Sequence, residues 1–173
     1  MLLSELEHIL RASGALVDEK VMIVIGSQAI LASVPEPPAE LVVSREADLY
    51  PRDAPGKADL ITGSIGEFSL FHETFGYHGD GVSPDTAVLP DGWRERLVTL
   101  CNENTGGVTG LCLSCADIAI SKLVAGRKKD LDYVKALLSH RIVLRHTLLE
   151  LLPTLSPDQR TLVESRLMGL TPV

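Results

Sequence analysis

The sequence is poor in aromatic residues and in positive charge. Its 173 residues include three Phe, three Tyr and one Trp, too few for the rows of aromatic side chains on which proteins stack single-stranded nucleic acid. Sixteen Lys and Arg stand against 23 Asp and Glu, and the formal net charge is −7. This balance argues against a protein that holds nucleic acid or anionic lipid through bulk charge, although it leaves room for a small basic pocket.

Cysteine is also scarce, and an odd number of three excludes a complete disulfide framework. Cys112 and Cys115 have the C-x-x-C spacing. A zinc site would need two further ligands, and the five histidines form no pair at a suitable spacing. We interpret the cysteines as structural residues. A redox pair is the alternative, because a helix start is predicted near Cys115 and favours a thiolate.

Long apolar runs are missing as well. Residues 21–25 form one of the longest, far below the ~20 residues that a membrane-spanning helix needs. The first seven residues, Met-Leu-Leu-Ser-Glu-Leu-Glu, contain no basic cluster of the kind that begins a signal peptide. Since single domains usually have about 100–200 residues, we expect one compact cytoplasmic unit with no membrane segment.

The order of predicted elements indicates an α+β (α/β-like) fold: a small mixed β-sheet with flanking helices and a helical C-terminal part. We expect residues 1–115 to form the core and residues 116–173 to form a helical subdomain packed on it. The predicted elements are a helix capped by Ser4 and Glu7 and ended by Gly14, strand 21–25, helix 29–33, a strand in two halves at 41–43 and 47–50, helix 58–71, a hairpin of 96–101 with 108–113, and helices in 116–139, 142–152 and from Ser156.

Gly26 and Ser27 directly follow the predicted strand 21–25. A glycine there lets the backbone approach a ligand closely, and free amides at the next helix start favour a phosphate. Glu46 and Asp48 are two residues apart on the next strand, so both project from one face. Paired carboxylates repel unless a cation lies between them, and Mg²⁺ carrying nucleotide phosphates is the natural partner. The alternative is a turn glycine, a capping serine and two exposed acids.

These residues resemble the signature of the DNA polymerase β-type nucleotidyltransferase superfamily, in which Gly-Ser is followed by Asp/Glu-x-Asp/Glu on the neighbouring strand. Residues 116–131, Ala-Asp-Ile-Ala-Ile-Ser-Lys-Leu-Val-Ala-Gly-Arg-Lys-Lys-Asp-Leu, are similar to a helical segment of small prokaryotic nucleotidyltransferase-like proteins related to the AbiEii abortive-infection toxins. The resemblance implies that Gly26 and Ser27 hold a nucleoside triphosphate (NTP) and that Glu46 and Asp48 ligate Mg²⁺.

The segment 116–131 begins the densest cluster of positive charge in the chain. The resemblance implies that Lys122 and Arg127 reach the phosphates of the NTP. The spacing of Lys122, Gly126 and Lys129 predicts one polar face of a continuous helix. The basic residues of the cluster are Lys122, Arg127, Lys128, Lys129 and Lys135. The alternative is a solvated helix face with no ligand.

A third carboxylate commonly acts in this superfamily as the base for the attacking hydroxyl. Our candidates are Asp80, which we prefer, and Asp85, although a Gly- and Pro-rich segment is also typical of Asp in turns. Glu46 stands where the superfamily most often has Asp. Its extra methylene displaces the carboxylate, and Mg²⁺ tolerates little geometric error.

Two functional hypotheses follow. The first is an enzyme that transfers NMP from an NTP to a hydroxyl of a protein, an RNA or a small molecule. A toxin or phage-defence role with an antitoxin-like partner is implied by the resemblance alone. The second is a catalytically inactive relative that serves as a nucleotide-binding or protein-interaction module, which the departure at Glu46 favours.

Overall fold

The computed structural model of the protein describes residues 1–170. Within that range the chain forms an α+β fold, as predicted, with a five-stranded mixed sheet flanked by helices. The strands are β1 (Val21–Ile25), β2 (Glu46–Pro51), β3 (His78–Gly81), β4 (Val98–Leu100) and β5 (Thr109–Cys112). The helices are α1 (Leu3–Val17), α2 (Ala58–Ile65), α3 (Leu70–Phe75), α4 (Cys115–Ala125), α5 (Lys128–Ser139), α6 (Arg145–Leu151) and α7 (Pro157–Gly169).

The sheet has the strand order β3-β2-β1-β5-β4. β1 lies at its centre, antiparallel to β2 and parallel to β5. Its last four residues are buried, as in a strand covered on both faces. β2 and β3 pair in parallel, and β4 and β5 form the predicted antiparallel hairpin. The two halves of the sheet therefore meet at β1, whose end leads into the glycine–serine turn.

Helix α1 lies directly against one face of the sheet. Ile9 and Leu10 are fully buried, and two strand glycines allow their approach. A Cβ on Gly79 would lie 2.7 Å from Ile9 Cγ2, and a Cβ on Gly110 would lie 2.7 Å from Leu10 Cδ1. Because side chains alternate along a strand, the neighbours of Gly79 in β3 project from the opposite face.

The predicted limits of the first helix are wrong. α1 begins at Leu3, so Ser4 lies within the helix and does not cap it. The Leu2 backbone amide instead donates a hydrogen bond to the Glu5 carboxylate at 2.6 Å. Glu7 is buried and accepts hydrogen bonds from two asparagine side chains of the segment before β5. Gly14 does not end the helix, which continues to Val17. Glycine is instead required at this position for packing, since a Cβ there would lie 2.4 Å from a methyl group of Val108.

Two predicted continuous helices are each split in two. The helix predicted over 58–71 breaks at Gly66, between α2 and α3. The helical stretch 116–139 breaks at Gly126, which ends α4 in the left-handed conformation with φ +68°. Glycine adopts this conformation without steric cost. The predicted half-strand 41–43 was wrong too, since Leu41 ends a 3₁₀ turn outside the sheet.

The C-terminal helices begin immediately after β5. The Ser156 cap of α7 is confirmed, since its hydroxyl accepts from the Gln159 amide at 3.4 Å. One buried apolar cluster includes Ile25 from the sheet and Ile118 from α4; the division into residues 1–115 and 116–173 stays a prediction. None of the described helices is both long and apolar enough to cross a membrane.

The close contact between α2 and β3 generates a stability prediction. A Cβ on Gly81 would lie 1.8 Å from the carbonyl oxygen of Ala58, so Gly81→Ala must push α2 away from the sheet. We expect the free energy of unfolding to fall by about 1–3 kcal/mol, measured by urea denaturation. Gly63→Ala in α2 is the matched control. It meets open space and should stabilise the protein by about 0.5–1 kcal/mol. Equal effects of the two substitutions would contradict this packing.

Candidate functional site

The glycine–serine turn begins where β1 ends. Gly26 has φ +78°, and a Cβ there would lie 2.3 Å from Asp48 Oδ2, so both the backbone conformation and the space require glycine. Ser27 begins a 3₁₀ helix, Ser27–Ala32. Its carbonyl oxygen accepts a hydrogen bond from the Tyr133 hydroxyl at 2.9 Å. The turn is thus held between the acids of β2 and helix α5.

The three predicted acids lie on neighbouring strands. Glu46 and Asp48 share one face of β2, and the parallel register pairs Asp48 with Asp80 and Glu46 with His78. Carboxylate oxygens of Glu46 and Asp80 and a ring nitrogen of His78 lie within 4.8 Å of one another. The structure therefore brings Asp80 beside the two predicted metal ligands. Asp85, the alternative third acid, lies instead in an exposed 3₁₀ turn.

The convergence of acids changes their protonation. Burial, the adjacent Glu46 carboxylate and the charge of Asp80 together raise the pKa of Asp48 to about 7, against a smaller opposing effect of Lys122. The pKa of Asp80 is also raised, by burial and by Glu46, while His78 opposes the shift. These shifts mean that the cluster resists carrying its full negative charge unless a cation compensates it.

The basic side of the site is organised around one buried acid. Asp130 accepts from Lys122 Nζ at 3.3 Å and from Arg127 Nε at 2.6 Å. Burial alone would raise the pKa of Asp130, but the hydrogen bond from Arg127 and the charge of Lys122 outweigh it, and the pKa is lowered. Lys122 Nζ also lies 4.5 Å from the centre of the Tyr133 ring. Burial lowers the pKa of Lys122, and Asp130 opposes that shift.

A cleft of about 580 Å³ is lined both by the acids of β2 and by basic residues of α4, α5 and the turn between them. Apolar atoms of Leu113, Ile118 and Tyr133 form part of its wall. Among the described residues, Asp80 is not part of the lining, because β3 lies on the far side of β2 from β1. The predicted site residues that line the cleft are Gly26, Ser27, Glu46, Asp48, Lys122 and Arg127. The cleft is large enough for a small-molecule ligand.

The predicted polar helix face is wrong in its geometry. Because the chain turns at Gly126, Lys122 lies on α4 and Lys129 on α5, and no single helix presents them. Both still line the cleft. Lys128 points elsewhere, 3.6 Å from Asp132, with its side chain 94% exposed.

Two members of the site were missed by sequence reasoning. Neither His78 nor Asp130 is among the site residues that the sequence predicts. The segment His78-Gly-Asp-Gly81 does alternate polar residues with glycine, which is the period of a strand. The glycines face α1 and α2 and the polar residues face the acids of β2. That alternation was the available signal.

The two cysteines of the C-x-x-C spacing do not have the character of a redox pair. Cys112 is buried, and this burial raises the pKa of its thiol to about 12. The pKa of Cys115 is raised as well, by burial, although its thiol contacts the Ser33 hydroxyl at 3.3 Å. Reactive cysteines need a lowered thiol pKa, so the structural interpretation fits both residues better.

A mixed sheet with a glycine–serine turn after one strand and paired acids on the next is the arrangement expected of a nucleotidyltransferase. The comparison with protein families agrees: a family model described as "Nucleotidyltransferase of unknown function (DUF6036)" matches residues 2–166. The chain belongs to this family. No curated protein and no solved structure matches the chain. The narrower relationship to AbiEii-like proteins stays a prediction.

The raised pKa of Asp48 has a consequence for stability. An acid whose pKa is higher in the folded chain opposes folding once the unfolded chain ionises, and the cost grows between about pH 4 and pH 7. With a chelator present to keep the protein free of metal, we expect Asp48→Asn to raise the melting temperature at pH 8 by about 2–6 °C. This gain should vanish toward pH 4. The exposed Asp59 in α2 provides the control Asp59→Asn. A loss of stability at pH 8, or a gain independent of pH, would contradict the prediction.

Proposed function

We propose that the protein binds an NTP together with Mg²⁺ and transfers NMP to a hydroxyl group. The observation that carries this proposal is the position of Glu46, Asp48 and Asp80 on one face of the sheet, next to the turn at Gly26 and Ser27. A glycine that lets a ligand approach the backbone, paired acids and a nearby basic residue are together suited to positioning phosphates and to stabilising the charge that develops on them.

The residues present fit a divalent cation. Burial first, and then the neighbouring Glu46 and Asp80 carboxylates, raise the pKa of Asp48 to about 7. Asp80 Oδ1 is buried without a hydrogen-bond partner among residues 1–170. Carboxylate oxygens in such a group are hard ligands suited to Mg²⁺. We propose the carboxylates of Glu46 and Asp48 as the ligands of this ion. When bound, the cation would offset the charge that develops on the phosphate oxygens.

The chain's own residues would divide the remaining tasks. Gly26 lets the triphosphate approach the backbone closely, and Ser27 offers a hydroxyl donor. Lys122 and Arg127 bind the phosphates. The acceptor oxygen attacks the α-phosphorus, the bond from that phosphorus to the oxygen bridging to the β-phosphate breaks, and pyrophosphate leaves. Asp80, whose pKa is raised, takes the proton of the acceptor hydroxyl.

The proposed reaction requires an acceptor hydroxyl, which a protein, an RNA or a small molecule could supply. The resemblance to AbiEii-related proteins supports a toxin or phage-defence role with an antitoxin-like partner protein, acting in the cytoplasm. In that case, production of the chain in cells should slow growth, and Asp48→Asn should relieve the effect.

A second candidate is a catalytically inactive nucleotide-binding or protein-interaction module. One observation favours it: Asp130 already engages both Lys122 and Arg127, and its negative charge offsets part of the positive charge that these residues could offer to phosphates. Such a module would bind an NTP without transferring any part of it.

The first experiment separates the two candidates. The protein is incubated with Mg²⁺, each NTP labelled at the α-phosphate, and cell extract, and products are treated with protease or ribonuclease to identify the acceptor class. We expect label transfer by the natural chain and by Asp59→Asn, and at least about a hundredfold less by Asp48→Asn. NTP binding without transfer would establish the inactive module. Absence of both binding and transfer would overturn both candidates.

The second experiment tests the basic wall. Lys122→Gln removes a positive charge facing the acids but leaves Asp130 paired with Arg127. We expect its affinity for an NTP with Mg²⁺ to fall by about tenfold, equivalent to about 1.4 kcal/mol, as measured by calorimetry. Lys135→Gln, on an exposed position of α5, should leave the affinity unchanged. Equal affinities of the two variants would remove Lys122 from the phosphate site.

A further inference from the structure

His78 is a buried polar residue on strand β3. It is 7% exposed, and its Nδ1 is buried without a hydrogen-bond partner among the described residues. Its Nε2 lies 3.9 Å from Asp80 Oδ2, beyond the range of a hydrogen bond. The buried Nδ1 without a hydrogen-bond partner costs free energy, and the contact of Nε2 with Asp80 is at most a long ion pair, so packing alone accounts poorly for the place of His78 beside two carboxylates.

The geometry around His78 is close to that of a metal site. One donor atom each from Glu46, His78 and Asp80 lie within 4.8 Å of one another. Donors around a small divalent cation, at about 2.1 Å from it, lie about 3–4 Å apart. Small rotations of the side chains therefore suffice to bring all three onto one ion. The parallel register, which sets His78 opposite Glu46, prepares this approach.

We propose that His78 is a nitrogen ligand of the cation held by Glu46 and Asp80, and that the site binds a first-row transition ion such as Mn²⁺ more tightly than Mg²⁺. Imidazole is a borderline ligand that suits transition ions, whereas Mg²⁺ prefers oxygen ligands throughout. This inference rests on the proposed function, since it concerns the same acidic cluster. It changes the expected ion preference and adds His78 to the site, and it makes Asp80 a ligand of the cation instead of the acceptor of the hydroxyl proton.

Direct spectroscopy of bound Mn²⁺ tests the proposal without any measurement of activity. Pulsed electron paramagnetic resonance of the full chain with Mn²⁺, with and without a non-hydrolysable NTP analogue, should show coupling to a directly bound nitrogen. If the coupled nitrogen belongs to a histidine, labelling the histidines with ¹⁵N should replace the ¹⁴N coupling with a ¹⁵N coupling. In His78→Gln, which retains an oxygen donor, the nitrogen coupling should be lost.

Binding constants give a second readout. We expect His78→Gln to weaken Mn²⁺ by at least about tenfold and Mg²⁺ by less than about threefold, so that the preference for Mn²⁺ shrinks. Melting of the metal-free variant checks that it folds; if it does not, the ¹⁵N-histidine experiment on the natural chain decides. His72→Gln is the matched control, because the His72 ring lies only 4.5 Å from that of His78. It should keep the nitrogen coupling.

The outcomes separate this inference from the proposed function. Bound Mn²⁺ with oxygen ligands only would overturn the role of His78 and leave the nucleotidyltransferase proposal intact. Loss of the nitrogen coupling in His72→Gln but not in His78→Gln would identify His72 as the ligand and overturn the inference. Failure of Mn²⁺ and Mg²⁺ to bind, with or without the NTP analogue, would overturn both proposals.

Discussion

The parallel pairing of β2 with β3 is the constraint on which the site depends. This register sets Asp48 against Asp80 and Glu46 against His78, so four polar side chains occupy one small area of the sheet. A shift by one residue would turn the β3 pair toward α1 and replace it with glycines. Gly79 and Gly81 prevent that shift, because only glycine fits beneath the helices.

Placing the acids together costs stability, and the fold concentrates that cost where a ligand would remove it. Burial and the neighbouring carboxylates of Glu46 and Asp80 together raise the pKa of Asp48 to about 7, so the folded chain holds this acid at a cost in free energy. Across the cleft, Asp130 holds Lys122 and Arg127 in place. Acidic and basic side chains thus line the same cleft, and the net charge of −7 conceals this local concentration of both charges.

Much of the site was predictable from local sequence. β1, the turn at Gly26 and Ser27, and the pair Glu46 and Asp48 follow from short-range rules of hydrophobicity, glycine conformation and strand alternation. The hairpin of β4 and β5 was predictable for the same reason. β3 was harder to recognise, because its alternate positions are glycine and carry no apolar signal. The break at Gly126 was missed because a glycine within a helical pattern is ambiguous until packing decides it.

The sequence by itself determined the class of fold, the family-like motif and the paired acids on β2, since each depends on residues close together in the chain. Only the tertiary structure decided which later acid joins them, that His78 stands beside Asp80, and that Asp130 organises Lys122 and Arg127 across a turn. These contacts link strands and helices far apart in sequence. Their geometry depends on strand register and helix packing, which no local pattern encodes.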